Sequence, residues 1–178
     1  MSRFLTTAAV LALMPMAVFA AGSGSSNPPS PSQTTTQCAD GLVFDTATQT
    51  CMTPDQSTND DNAMMEIVRE LAYFDRLADA RMVLDQLDPS DSMVQTYYGF
   101  TARKMGDVEG GMAYYQAALA IDPDNILARS YMGQGLVEMG DLTGAQEQLS
   151  EIRARNGRQS WAEVSLRLAI ESGTGPSY

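Results

Sequence analysis

The tetrapeptide K-M-G-D at Lys104–Asp107 returns as E-M-G-D at Glu138–Asp141, 34 residues further on. At the same interval Gly99 meets Gly133, Val108 meets Leu142, Tyr115 meets Leu149 and Ala118 meets Ile152. A self-match at this period marks a stack of helical hairpins, each too small to bury its apolar face alone. Gly106 and Gly140 suit the left-handed residue that ends a helix. Asp107 and Asp141 suit the cap of the next one. Gly99 and Gly133 on the first helix of each pair are expected to face Gly111 and Ala145 on the second. Tyr98, Met132, Tyr115, Leu119 and Leu149 fill the space around that crossing. Asp122-Pro123 ends the second helix, because a residue before proline avoids helical geometry. Gly110, beside Gly111, has no place in this pattern; a helical glycine costs about 1 kcal/mol relative to alanine.

A worn copy precedes these two. With Ala80 set against Ala145, Leu71 falls on Leu136, Leu77 on Leu142, Leu84 on Leu149 and Leu87 on Ile152. Its second helix should stop at Asp88-Pro89, and its corner reads Asp75-Arg76, without glycine. Ser160 to Glu171, with Trp161, Val164, Leu168 and Ile170, supplies a one-sided helix that closes the stack. The expected fold is all-α: a solenoid of about three hairpins and a capping helix, covering residues 59–172, with a polar tail at 173–178.

This pattern resembles the tetratricopeptide repeat over Ser92–Asn125 and Ile126 to about Gln159. Glycine stands at the eighth position, Gly-Asp at the corner, Gly111 or Ala145 at the twentieth, and Pro123 at the end. Gln95 and Arg129 replace the family's tryptophan at the fourth position, and Gly157 replaces the second terminal proline. The resemblance implies a concave groove lined from the second, fifth, ninth, twelfth and thirteenth positions. Carried over, these are Met93, Thr96, Phe100, Arg103 and Lys104, then Leu127, Ser130, Gln134, Val137 and Glu138. The worn copy contributes Met65, Arg69 and Tyr73. The lysine and asparagine with which some members clamp a C-terminal carboxylate are replaced by Thr96 and Phe100, and by Ser130 and Gln134.

Residues 1–21 read as a secretory signal peptide: Arg3, an apolar run from Phe4 to Phe19, and a V-F-A site ending at Ala20. An uncleaved membrane anchor is the other reading, opposed by Pro15 and that site. Residues 22–37 are Gly, Ser, Pro, Thr, Asn and Gln with nothing large to bury, which predicts a disordered spacer. Residues 38–58 hold the two cysteines, Cys38 and Cys51, which an exported chain should pair; Leu42 to Thr46 reads as part of a small hairpin. The string C-A-D-G-L-V-F-D-T-A-T-Q-T-C-M-T-P resembles the closing half of a peritrophin-A-type chitin-binding domain, without its other disulfides or aromatic platform. Asp55, Ser57, Asn59, Asp61 and Glu66 have EF-hand spacing, but Asp60 stands where that loop needs glycine. Helix capping by Asn59, Asp60 and Asp61 is the simpler reading.

Composition narrows the chemistry. There is no histidine and one lysine, Lys104. The commonest general base and metal ligand are therefore missing, with every Ser-His or Cys-His pair. An enzyme is not expected, and no catalytic residue, metal site or cofactor is nominated. The net charge of −11 repels phosphate, so no nucleic-acid partner is expected. Twelve acids against three arginines lie between Asp40 and Asp91, whereas Arg153, Arg155 and Arg158 form a basic cluster. The sequence points to a noncatalytic scaffold, periplasmic or secreted, that binds a peptide or protein in its groove; a homo-oligomer stays open. The alternative is a glycan- or cell-wall-associated module acting through the Cys38–Cys51 loop.

Overall fold

The computed structural model describes residues 29–174; residues 1–21, read above as a signal peptide, residues 22–28 of the expected spacer and residues 175–178 of the expected tail lie outside them. The chain runs α1 (Gln33–Gln37), β1 (Val43–Asp45), β2 (Thr50–Met52) and a 3-10 turn at Pro54–Gln56. Seven further helices follow: α2 (Asp61–Tyr73), α3 (Leu77–Leu84), α4 (Ser92–Lys104), α5 (Val108–Ile121), α6 (Ile126–Glu138), α7 (Leu142–Ala154) and α8 (Trp161–Ser172). Three antiparallel hairpins, α2/α3, α4/α5 and α6/α7, stack as tetratricopeptide-like repeats, and α8 packs on both α6 and α7 as the lid.

The repeated corner follows from backbone chemistry. Gly106 and Gly140 adopt φ of 97° and 82°, left-handed values open to glycine at no steric cost. Asp107 and Asp141 then accept hydrogen bonds from the Gly110 and Gly144 amides and so cap α5 and α7. The Asp107 carboxylate folds so close over Gly110 that an added Cβ would lie 2.1 Å from its Oδ2, which gives the unexplained glycine a reason. In the worn copy Asp75 occupies the left-handed position itself, at φ 61°. Aspartate tolerates that geometry better than most residues. The second helix of this copy ends at Leu84, earlier than Asp88-Pro89 requires, and two tight turns carry Leu87 back into the core.

The Gly99–Gly111 crossing is as close as the spacing demands. A Cβ on Gly111 would stand 2.9 Å from the Gly99 carbonyl oxygen, too near for any side chain. Gly133 makes room for Leu166 of the lid, whose methyls would lie 2.6 Å from an added Cβ. One continuous core runs from Val43 through Leu71, Leu84 and Phe100 to Tyr115 and Tyr131, with smaller clusters under α8.

The N-terminal arm is built into the fold. Residues 33–37 of the expected spacer form α1, held by specific polar bonds that composition does not reveal. The Ser32 amide donates to Glu70 Oε1 at 2.7 Å, and the Thr35 hydroxyl donates to the same oxygen. Arg76 donates to the carbonyls of Thr34, Cys38 and Ala39, at 3.0 to 3.4 Å, and pairs with Asp79. Asp79 in turn accepts from the Gly41 amide at 3.0 Å. The Cys38–Cys51 disulfide closes the antiparallel β1–β2 hairpin, and Val43 inserts into the main core. The loop therefore sits on α2 and α3 where a preceding repeat would stack. It caps one end of the solenoid as α8 caps the other.

Candidate partner-binding face

The first helices of the hairpins pack on one another in succession, α2 on α4, α4 on α6 and α6 on α8, whereas α3, α5 and α7 make no comparable mutual contacts. The stack is tighter on the first-helix side, so that side is its inner, concave wall. The residues nominated for a groove all lie on the first helices α2, α4 and α6, and they divide into two groups.

One group is buried. Thr96, Ser130 and Gln134 are each 0% exposed, and Phe100 and Arg103 are almost as inaccessible. Their polar atoms join neighbouring repeats. Asn125, the cap of α6, donates from Nδ2 to Ser92 Oγ at 2.7 Å and Thr96 Oγ1 at 3.0 Å. Ser92 passes the chain on by donating to the Ala118 carbonyl at 2.9 Å. Gln134 Nε2 donates to Ser130 Oγ at 3.3 Å and Ser165 Oγ at 3.4 Å. Arg103 completes the row: its guanidinium donates to Glu138 Oε1 at 2.5 Å, Gln134 Oε1 at 3.3 Å and Tyr115 Oη at 3.3 Å. Its stem lies against Gly135, where an added Cβ would be 3.2 Å from Arg103 Cδ. Buried polar groups with few alternatives need such partners, since an unpaired one costs about 1–3 kcal/mol. These five residues hold the repeats in register and are not presented to a ligand in this conformation. Phe100 packs within an aromatic group, 4.9 Å from Tyr131 and 6.3 Å from Tyr97 between ring centroids.

The other group reaches solvent. Met65, Arg69, Tyr73, Met93 and Leu127 are half-buried, while Lys104 and Glu138 are exposed. Val137 is buried in the cluster shared with Ala145 and Ala169. On α2, α4 and α6, Met65, Met93 and Leu127 thus pack against the core on one side and reach solvent on the other. Asn125 was not foreseen from the sequence. The signal available was the recurrence of hydroxyls at Thr96 and Ser130, one repeat apart on an inward face, which need a donor across the repeat boundary.

Elsewhere the polar clusters are structural. Tyr98 stacks on Tyr114 at 5.4 Å, lies under Arg81 and donates to Asp85 at 2.6 Å. Burial, and next the Asp85 hydrogen bond, hold its phenol protonated well above the usual range. Burial, with Arg155 beside it, lowers Arg129; both arginines donate to the Pro123 carbonyl at 2.9 Å. Asp45 accepts from the amides of Thr48 and Thr58 and from both their hydroxyls, and these bonds hold its carboxyl far below the ordinary range. Within the EF-hand-like string, Asp60 caps α2 through the Ala63 amide, and Asn59 bridges Thr46 and the Phe44 carbonyl. Phe44, the sole aromatic of the disulfide loop, is buried and presents no stacking face. No group of acidic or sulfur side chains among the described residues is arranged to hold a metal ion. Among them, too, no helix is long and apolar enough to cross a membrane.

Residues 102–167 match the tetratricopeptide repeat family, from the end of α4 through the middle of α8. No curated protein matches the chain.

Proposed function

We propose that this protein is a noncatalytic scaffold of the bacterial cell envelope, periplasmic or secreted, that holds a peptide or protein segment against the inner wall of its repeats. The observation that carries the reading is the division of that wall. Its polar residues are consumed between repeats, while Met65, Tyr73, Met93 and Leu127 keep apolar surface open to solvent. Flexible methionines suit a surface that adapts to a bound side chain. Arg69 and Lys104 border that surface and supply charges that orient a segment. Tetratricopeptide repeats generally mediate protein–protein interaction, which agrees with this use of the face.

The test places a photo-crosslinking residue at Met93 or Leu127, and at Gln116 on the outer helix α5 as the control. Crosslinks to an envelope protein from the inner positions, absent from the outer one, support the reading. Equal capture from all three, or none from the inner pair in a folded protein, removes it.

A further inference from the structure

A second surface lies at the C-terminal end of the stack, and none of the residues nominated for the inner wall lines it. Between α7 and α8 runs a groove of about 680 Å³. Leu149 and Ile170 contribute its apolar floor, and Arg153, Arg158 and Arg167 stand along it against one acid, Glu171. Three arginines here contrast with the twelve acids between Asp40 and Asp91 and with the net charge of −11.

The arginines are not equivalent. Arg153 donates to Glu163 Oε1 from two nitrogens, at 3.1 and 2.6 Å, and Glu163 is largely buried, so this pair is a fixed part of the wall. Arg167 pairs with Glu171 at 3.0 Å one turn along α8, both of them exposed to water, a contact of small strength that a ligand can replace. Arg158 is exposed and makes no ion pair with any described residue. Two replaceable guanidiniums above an apolar floor match one chemistry: carboxylates spaced around an apolar side chain. Guanidinium is also the better fit to carboxylate, because its fork donates two parallel hydrogen bonds. Nucleic acid fits poorly, since three arginines on an acidic body give no extended basic track for a phosphate backbone.

We propose that the α7/α8 groove is a docking site for an acidic, amphipathic peptide segment of a partner protein, with an apolar side chain on Leu149 and Ile170 and carboxylates on Arg158 and Arg167. The two ends of the solenoid then play different parts, since the N-terminal cap is closed by its own loop and the C-terminal hairpin receives a partner.

The experiment uses the full chain and a fluorescent acetylated peptide of alternating leucine and glutamate, followed by anisotropy. A leucine–glutamine peptide and a leucine–lysine peptide are the controls. Saturable binding of the glutamate peptide alone is expected, weakening as salt shortens the screening length to about 3 Å near 1 M. Arg158→Ala with Arg167→Ala should weaken it about tenfold, the loss expected for two exposed charge pairs. Arg158→Glu with Arg167→Glu should transfer the preference to the lysine peptide. Gln116→Glu on the outer helix α5, an exposed position outside both proposed surfaces, should change nothing. Equal binding of glutamate and glutamine peptides, or full affinity in the folded double-alanine variant, overturns the proposal. It is overturned too if no peptide binds while sedimentation shows a salt-sensitive self-association that the double variant abolishes, because the occupant is then a second copy of this chain.

Discussion

Replacing Arg103 with methionine probes the junction between the second and third hairpins. The Arg103 side chain is 2% exposed and bridges α4 to Gln134 and Glu138 of α6 and to Tyr115 of α5. Methionine keeps the apolar stem against Gly135 and removes the guanidinium donors. Gln134 Oε1 loses its guanidinium donor while 0% exposed, at a cost of about 2 kcal/mol. Glu138 is 32% exposed and rehydrates, so the lost ion pair adds only about 1 kcal/mol rather than the larger penalty of a fully buried charge. R103M should therefore cost about 3 kcal/mol in urea unfolding followed by helical circular dichroism. Glu138→Ala alone should cost as much, roughly 3 kcal/mol, because it leaves the buried Arg103 guanidinium without its counter-charge. Gln134→Met in the R103M background is the discriminating step. It removes the orphaned acceptor, and Ser130 and Ser165, whose hydroxyls lie 3.0 Å apart, still pair with each other. The double variant should fall short of additivity by more than about 1 kcal/mol. A loss below about 0.5 kcal/mol for R103M, or strict additivity of the two changes, would show that the buried bridge does not hold the repeats together.

Three other outcomes follow from local geometry. Cys38→Ser with Cys51→Ser should cost about 3 kcal/mol in the chain-entropy model, with amide exchange in α2 accelerating more than in α6, because the loop caps the first hairpin. Asp75→Gly should stabilise by about 1 kcal/mol by relieving the left-handed aspartate, and Gly140→Ala should destabilise by a similar amount, both read from thermal melts. The depressed carboxyl of Asp45 stabilises the loop at any pH above its ordinary value of about 4, and that stabilisation fades as pH falls toward the folded-state value. The stability difference between wild type and Asp45→Asn should thus be greatest near neutral pH and shrink below about pH 4; a difference that grows with acid would contradict the assignment.

The architecture was legible in the chain because its causes are local. A left-handed glycine followed by a capping aspartate ends one helix and starts the next wherever it occurs, and a second occurrence one repeat later requires stacked hairpins. The Gly99–Gly111 approach was equally readable, since helical spacing alone brings two residues without Cβ to one crossing. The N-terminal arm was not. A stretch of threonine and glutamine has no core of its own to form, and α1 owes its order to Glu70 and Arg76, 38 or more residues away for most of those bonds.

The groove divides along the same line. The resemblance to the tetratricopeptide repeat nominated which residues of each first helix would line a groove, because it fixes their positions within the repeat. Whether such a residue meets solvent or its neighbour depends on how closely successive first helices approach, and only the tertiary structure decided that. At Thr96, Ser130, Gln134 and Arg103 the approach is close, and the side chains became the bonds between repeats; at Met93, Leu127 and Lys104 surface stays open to solvent.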